Sequence, residues 1–285
     1  MAQRRATATR VQGFKTQDGA GVHLVRVLSH DTVKDFDPIL MLDSFDSHNP
    51  SDYIAGFPLH PHRGIETISY LCRGTMVHHD SAGGQATITD GGVQWMCAGS
   101  GIMHEEAIPA VDWLLGVQLW LNMPANEKMC PPAYHGIDAA SIPEVAFDGA
   151  TVRVLAGRFQ DVQGHLGDHL PLDYYDVVLP AHTKATLPVA AGTSALAFTL
   201  LGTVSIAGDP IREKTAVKLE DGDEFVVENA GSSQAHVLYI ASRALGEPVA
   251  WGGPIVMNTD AELRCAFDEL EAGTFIKEGI DYDAS

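Results

Sequence analysis

The chain has 285 residues, which is enough for one large hydrophobic core or two of ordinary size. It carries 18 Lys and Arg against 37 Asp and Glu, and the resulting net charge of −19 disfavours direct binding to a nucleic acid. Its four cysteines are widely scattered, which does not suggest a disulfide scaffold. Its basic N-terminus lacks the apolar stretch of a secretory signal, and no apolar run nears the length of a membrane span. We therefore expect a cytoplasmic globular protein with no membrane partner.

Short β-prone segments bounded by Gly, Asp, Asn and Pro recur along the whole chain. In order they cover residues 22–28, 66–71, 85–89, 93–98, 116–123, 151–159, 174–179, 194–201, 215–219, 223–229 and 235–241. One late segment, 259–273, has helical periodicity, with a Thr-Asp cap signal at its start and Gly273 at its end. The pattern predicts an all-β fold, either a sandwich or a barrel, with few short helices and one C-terminal helix.

The chain contains an internal repeat. Residues 74–92 (GTMVHHDSAGGQATITDGG) have a counterpart at 202–223, and each copy begins with Gly-Thr, passes a polar turn and ends at Asp-Gly. A segment rich in Pro, Ala and Gly at 131–150 separates the copies. We therefore predict two tandem antiparallel β-barrels, one over residues 1–135 and one over 136–285.

Two short segments carry paired metal-ligand side chains. His60 and His62 lie in GFPLHPHRGIET, and His104 and Glu106 lie in AGSGIMHEE. Residues two apart on a strand share a face, so each segment can direct two ligands at one point. Imidazole and carboxylate ligands suit Fe, Zn, Ni, Cu or Mn, and Fe is favoured where open positions serve oxygen chemistry.

The second copy lacks this pattern. Aligning Gly202 on Gly74 places Pro188 and Ala190 where His60 and His62 stand. His236 falls near the place of His104, and Leu238, two residues later, then stands where Glu106 would be. We therefore expect the N-terminal barrel to bind metal and the C-terminal barrel not to bind it.

Four stretches of the chain resemble the pirin family of the cupin superfamily: HPHRGIETISYL, VQWMCAGSGIMHEE, LWLNMP and GEPVAWGGPIVMNTDAEL. The resemblance covers nearly the whole chain and implies the two-barrel (bicupin) fold. It also implies an Fe site in the N-terminal barrel, with His60, His62, His104 and Glu106 as ligands. Members of the family act as quercetin 2,3-dioxygenases or as transcriptional co-regulators whose metal responds to redox state.

A second carboxylate and a substrate pocket are also expected near these ligands. In many other cupins the glutamate follows the H-x-H pair, and Glu66 fits that spacing, so Glu106 and Glu66 are both candidates to accept a substrate proton. Phe57, Trp95 and Met96 are candidates to line an apolar pocket, and Arg63 could orient Glu66 or a substrate anion. The alternatives are barrel-core positions for the tryptophan and methionine and an ordinary surface position for the arginine.

The leading function is that of an Fe(II)-dependent dioxygenase that opens the ring of a flavonol such as quercetin with O2. One alternative is an iron-binding transcriptional co-regulator that acts through a protein partner without catalysis. Another is a cupin that uses Zn, Ni, Mn or Cu for other chemistry, such as isomerisation. A monomer is expected, because two barrels in one chain already form the paired unit. Other histidines, His78 and His79 among them, are expected to be structural.

Overall fold

Strands make up most of the regular structure in the computed structural model, which describes residues 2–277 and the backbone of residues 281–283. The first half contains β1 (Thr7–Gln12), β2 (Phe14–Asp18), β3 (Val22–Leu28), β4 (Ile39–Ser47), β5 (Phe57–His62), β6 (Ile65–Arg73), β7 (Met76–Asp80), β8 (Gln85–Ile88), β9 (Val93–Cys97), β10 (Ile102–Ala107), β11 (Leu114–Asn122) and β12 (Ala133–Ile137). The second half contains β13 (Glu144–Phe147), β14 (Ala150–Ala156), β15 (Arg158–Phe159), β16 (Val162–Gln163), β17 (Leu172–Leu179), β18 (Thr183–Pro188), β19 (Ser194–Leu201), β20 (Val204–Ile206), β21 (Asp209–Ile211), β22 (Thr215–Leu219), β23 (Glu224–Asn229), β24 (Ala235–Ser242), β25 (Ala250–Gly252), β26 (Ile255–Met257) and β27 (Asp281–Asp283).

Two α-helices occur in the described chain, α1 (Val33–Phe36) and α2 (Asp260–Glu271). The predicted C-terminal helix is confirmed. It begins at a capping box in which Thr259 Oγ1 accepts from the Glu262 N–H, while the Glu262 carboxylate accepts from the Thr259 N–H. Short 3₁₀ turns lie at His30–Thr32, Pro50–Asp52 and Ala139–Ser141. Neither α-helix is long and apolar enough to cross a membrane.

The chain divides into two compact units. The histidine unit comprises Lys15–Arg26, Ile39–Ala139 and Leu245–Ser285, and the second unit comprises Met1–Phe14, Val27–Pro38 and Ala140–Ala244. Both therefore include residues from each half of the chain. The boundary near residue 135 stays a prediction.

The histidine unit is built around two sheets. The larger has the strand order β2-β3-β4-β11-β6-β9-β12-β27, and the smaller has the order β5-β10-β7-β8. A short hairpin, β25-β26, comes from the C-terminal segment of the same unit. A cluster of apolar side chains that includes Phe45, Leu71 and Met76 is buried within this unit.

The second unit repeats this strand order. Its larger sheet runs β1-β22-β19-β24-β17-β14-β13, and its smaller sheet runs β18-β23-β20-β21. The series β4-β11-β6-β9 thus corresponds to β17-β24-β19-β22, and β5-β10-β7-β8 corresponds to β18-β23-β20-β21. The internal sequence repeat is therefore a repeat of topology. Closure of the sheets into barrels stays a prediction.

The repeat corrects one expected equivalence. His236 lies on β24, which corresponds to β11, whereas His104 lies on β10, which corresponds to β23. His236 Nδ1 instead pairs with the Asp176 carboxylate of the neighbouring strand, at 3.0 Å. The small sheet of the second unit contributes apolar side chains to a buried cluster: Ala185, Leu187, Val204, Ile206, Phe225 and Val227.

Candidate metal centre

Three imidazoles converge on the small sheet of the histidine unit. β5 and β10 are antiparallel neighbours, and His60 lies directly opposite His104 in their register. One ligand nitrogen from each of His60, His62 and His104 lies within 4.8 Å of the other two. The Nε2 atoms of His60 and His62 are 3.0 Å apart. The paired spacing read from the sequence is thus the reason that the three rings meet.

Backbone oxygens fix the protonation of two of these rings. His60 Nδ1 is 2.8 Å from the Pro58 carbonyl oxygen, and His62 Nδ1 is 3.0 Å from the Pro254 carbonyl oxygen. A carbonyl oxygen can only accept, so each Nδ1 carries the hydrogen and each Nε2 keeps its lone pair. Such outer contacts are the ones that orient histidines that bind metals.

His104 supplies the clearest test of whether a metal fits. Its Nδ1 is 3.3 Å from Nδ1 of His78, while its Nε2 is buried and has no hydrogen-bond partner among the described residues. A buried polar atom without a partner is costly and uncommon in proteins. A divalent cation among the three Nε2 atoms would satisfy it, so the residues present fit a metal ion.

Electrostatics favour neutral rings at this centre. Burial, reinforced by the nearby His60, lowers the pKa of His62 to about 3. Burial also holds the pKa of His104 well below its usual range, with His62, His60 and His78 adding to the effect. Neutral imidazole is the form that coordinates metals, so these two rings are ready to bind one at neutral pH.

Glu106 lies close by, outside the three-histidine cluster. Its carboxylate accepts from Gln118 Nε2 at 3.0 and 3.3 Å and from Gln94 Nε2 at 2.8 Å. Burial raises the pKa of Glu106, while the nearby His60 and the two amides oppose that rise. The carboxylate is therefore held in one orientation beside the histidines.

The two glutamines show how the larger sheet takes part in the site. Gln118 is on β11 and Gln94 is on β9, and both are buried between apolar neighbours on their strands. Gln118 accepts in turn from Trp120 Nε1, and Gln94 accepts from the Tyr134 hydroxyl. In the sequence, a glutamine between apolar strand residues indicates a buried amide that must have a hydrogen-bond partner, and here that partner is Glu106.

Glu66 and Trp95 are not brought to the histidines, which corrects two predicted site positions. Glu66 lies opposite Cys97, and its carboxylate accepts from Trp95 Nε1 at 3.0 Å. Gln94 precedes Trp95 on β9, so its side chain points to the other face of the sheet, toward Glu106. Glu66 and Trp95 therefore share the face of the large sheet that is turned away from the site.

The other predicted pocket residues have separate surroundings. Met96 is fully buried and has the same strand parity as Gln94, so it lies on the face toward the site. Phe57 lies on β5 and packs edge-on against the buried Phe45. Their role as pocket walls stays a prediction.

Arg63 is buried rather than exposed, so the surface alternative is wrong. Its Nε donates to the Ser100 carbonyl oxygen at 2.7 Å, and its Nη2 donates to the Phe275 carbonyl oxygen at 2.8 Å. Its Nη1 pairs with the Glu269 carboxylate at 2.8 Å. The guanidinium thus joins the segment after His62 to the C-terminal segment, and none of these three contacts is with Glu66.

Two aromatic neighbours of the site were not anticipated. His78, which was expected to be an ordinary structural residue, is fully buried against His104. Trp120 meets the His62 ring edge-on at 5.1 Å and lies 5.7 Å from the Trp251 ring. His78 lies two residues after the apolar Met76 on β7, and this spacing indicates that both side chains point to the buried face of the strand.

The strand order and the histidine cluster together define a protein of the cupin class. Comparison with known sequences narrows that class: the profile described as Pirin matches residues 21–121, and the profile described as Pirin C-terminal cupin domain matches residues 174–276. A pirin-like protein of Caulobacter vibrioides is 43% identical over 273 residues, which cover 93% of this chain and 97% of that protein. The chain belongs to the pirin family, which confirms the resemblance seen in the sequence.

Two further relatives are similar over most of their length. Human pirin is 36% identical over 255 residues, covering 87% of this chain and 86% of that protein. The crystal structure of a quercetin 2,3-dioxygenase from Acinetobacter baumannii superposes with a TM-score of 0.89 at 33% identity, covering 96% of this chain and 99% of that one.

Proposed function

We propose that this protein is a metal-dependent oxygenase that opens the ring of a flavonol, as the name of the similar Acinetobacter baumannii enzyme implies for that protein. The observation that supports the proposal is the convergence of three imidazole nitrogens within 4.8 Å, with the buried Nε2 of His104 lacking a partner among the described residues. Fe(II) is the metal proposed, because imidazole and carboxylate ligands with open positions suit iron that handles oxygen.

The proposed roles follow from the contacts. His60, His62 and His104 hold the metal, and Glu106 completes the site as the carboxylate beside them. A divalent metal bound there supplies Lewis acidity that favours the ionised form of a substrate hydroxyl. His60 is only half-buried, so the cluster has one side open to a substrate.

Glu106 is the proposed proton acceptor. Burial raises its pKa toward the range in which a carboxylate can both take up and release a proton. The amides of Gln94 and Gln118 hold the carboxylate in place without filling all of its acceptor positions, since a carboxylate has about four. The ring of Trp120 beside His62 would provide an apolar wall for a flat substrate.

The test begins with elemental analysis of protein purified without added metal. Protein loaded with Fe(II) is then mixed with quercetin in air, and loss of flavonol absorbance and release of CO are followed. We expect turnover in the wild type, loss of metal in His104→Ala, and retained metal with at least a 100-fold lower rate in Glu106→Gln. Glu105→Gln, which alters an exposed carboxylate on the same strand, is the control. Full iron occupancy without turnover would overturn the proposal.

A further inference from the structure

Three buried side chains form a continuous line of hydrogen bonds that ends at the histidine cluster. Asp80 Oδ2 is 3.2 Å from His78 Nε2, and His78 Nδ1 is 3.3 Å from His104 Nδ1. The side chains of Asp80 and His78 are both 0% exposed, and His104 is fully buried. The ring of His78 is held in place by stacking on Tyr134, with centroids 4.5 Å apart.

A tight turn sets the orientation of Asp80. Its Oδ1 accepts from the backbone N–H of Ala82 at 2.8 Å and from that of Gly84 at 3.1 Å, in the turn between β7 and β8. Its Oδ2 is then directed at His78. An ionised carboxylate has no hydrogen to give, so Nε2 of His78 must carry the hydrogen of this bond.

The position of that hydrogen decides the rest of the line. A neutral imidazole carries one hydrogen, so His78 Nδ1 is an acceptor and receives the hydrogen of His104 Nδ1. His104 Nε2 is then left with its lone pair directed at the cluster. Backbone carbonyl oxygens hold His60 and His62 in the same tautomer, with the hydrogen on Nδ1. In His104 this tautomer is instead set by the side chains of His78 and Asp80.

We propose that Asp80 and His78 are positioning residues that impose the metal-binding tautomer on His104. This inference rests on the metal site proposed above. A substitution at Asp80, two side chains away, would then prevent His104 from binding metal without any change to His104 itself. Contacts of this kind are worth about 10–100-fold in metal affinity in known metalloproteins.

The deciding variant is Asp80→Asn. The amide oxygen can still accept from Ala82 and Gly84, while the amide nitrogen would donate to His78 Nε2 and move the hydrogen of His78 to Nδ1. Two N–H groups would then face each other, so His104 would carry its hydrogen on Nε2 and lose the lone pair that binds metal. We expect the dissociation constant for Fe(II), measured anaerobically by competition with a chelator, to rise about 10–100-fold.

A second variant separates positioning from damage to the fold. His78→Phe keeps an aromatic ring on Tyr134 but frees His104 to adopt either tautomer, so we expect a smaller loss of affinity than in Asp80→Asn. The double variant should bind Fe(II) as His78→Phe does, because Asp80 acts only through His78. This recovery relative to Asp80→Asn is not expected if Asp80 merely stabilises the turn.

The ¹⁵N shifts of the histidine rings in metal-free protein report the tautomers directly. We expect His104 to change from the Nδ1–H to the Nε2–H form in Asp80→Asn and to stay unchanged in Glu105→Gln, the matched exposed control. Unchanged His104 shifts, or wild-type Fe(II) affinity in Asp80→Asn, would overturn the inference. Failure of the wild type to bind Fe(II) would overturn the proposed metal site instead. The tautomer measurement would still decide whether Asp80 and His78 set the tautomer of His104.

Discussion

Replacing Lys128 with methionine tests how β5, the strand that carries His60 and His62, is held in place. Lys128 is 1% exposed, and its ammonium donates to the Gly64 carbonyl oxygen at 2.6 Å, to Asn122 Oδ1 at 2.6 Å and to the Val256 carbonyl oxygen at 3.1 Å. These acceptors belong to the turn after β5, to β11 and to β26. One buried amino group therefore joins three segments around the histidines.

Burial lowers the pKa of Lys128 from 10.5 to about 7, with the charges of Glu247 and Glu262 opposing that change. Between pH 7 and pH 10.5 the unfolded chain binds this proton and the folded chain releases it, so the free energy of unfolding rises with pH in that window. At about 1.4 kcal/mol per pKa unit, the gain from pH 7 to pH 9.5 is about 3 kcal/mol. Methionine carries no proton, so Lys128→Met should lack this gain.

The measurement is urea denaturation of both proteins, metal-free, at several pH values between 7 and 9.5. The unfolding free energy of the wild type should rise by about 3 kcal/mol relative to that of Lys128→Met across that range. Lys184→Met, at a side chain that is 57% exposed, is the control. A difference that is constant with pH would refute the reasoning. Fe(II) affinity should also fall in the variant, because Gly64 follows the two proposed ligands on β5, His60 and His62.

Gln118→Met removes a charge-assisted hydrogen bond from the carboxylate of Glu106, so we expect the pKa of that glutamate to rise further in a ¹³C NMR titration of metal-free protein. Thr259→Ala deletes the cap of α2 and should cost about 1 kcal/mol in calorimetry. Gly64→Ala would place a methyl group 2.1 Å from the Val256 carbonyl oxygen at a residue with φ +75°, and its thermal midpoint should drop by an amount equivalent to at least about 1–2 kcal/mol. If the proposed metal is bound, its removal with a chelator should lower the free energy of unfolding by about 3 kcal/mol where free metal stood at 100 times its dissociation constant, and the thermal midpoint should fall accordingly.

Local spacing was sufficient to predict the histidines but not the second carboxylate. His60 and His62 share β5, so their common face follows from the pleat alone. Glu66 has the same numerical parity, but β5 ends at His62 and β6, which starts at Ile65, belongs to the other sheet. Parity has no meaning across such a turn, and Glu66 therefore faces away from the site.

Contacts between residues far apart in the chain were also beyond the reach of sequence patterns. Pro254 reaches His62 across 192 positions, and Gln118 reaches Glu106 from a strand of the other sheet. Among the strands, the exposed β1 was missed because it lacks an apolar face, whereas β23 was predicted almost to its ends. The repeat was visible in sequence, but only the strand order showed that His236 is not the counterpart of His104.

The contact between His62 and Pro254 affects when, during synthesis of the chain, the histidine cluster can be completed. Three of the proposed ligands are translated before residue 105, yet the oxygen that orients one of them emerges from the ribosome about 150 residues later. Arg63 likewise lacks two of its partners until Glu269 and Phe275 have been synthesised. A nascent chain can pair β5 with β10 early, because its N-terminal part folds first. It can complete the surroundings of His62 only near the end of synthesis, so the proposed metal would be acquired after translation.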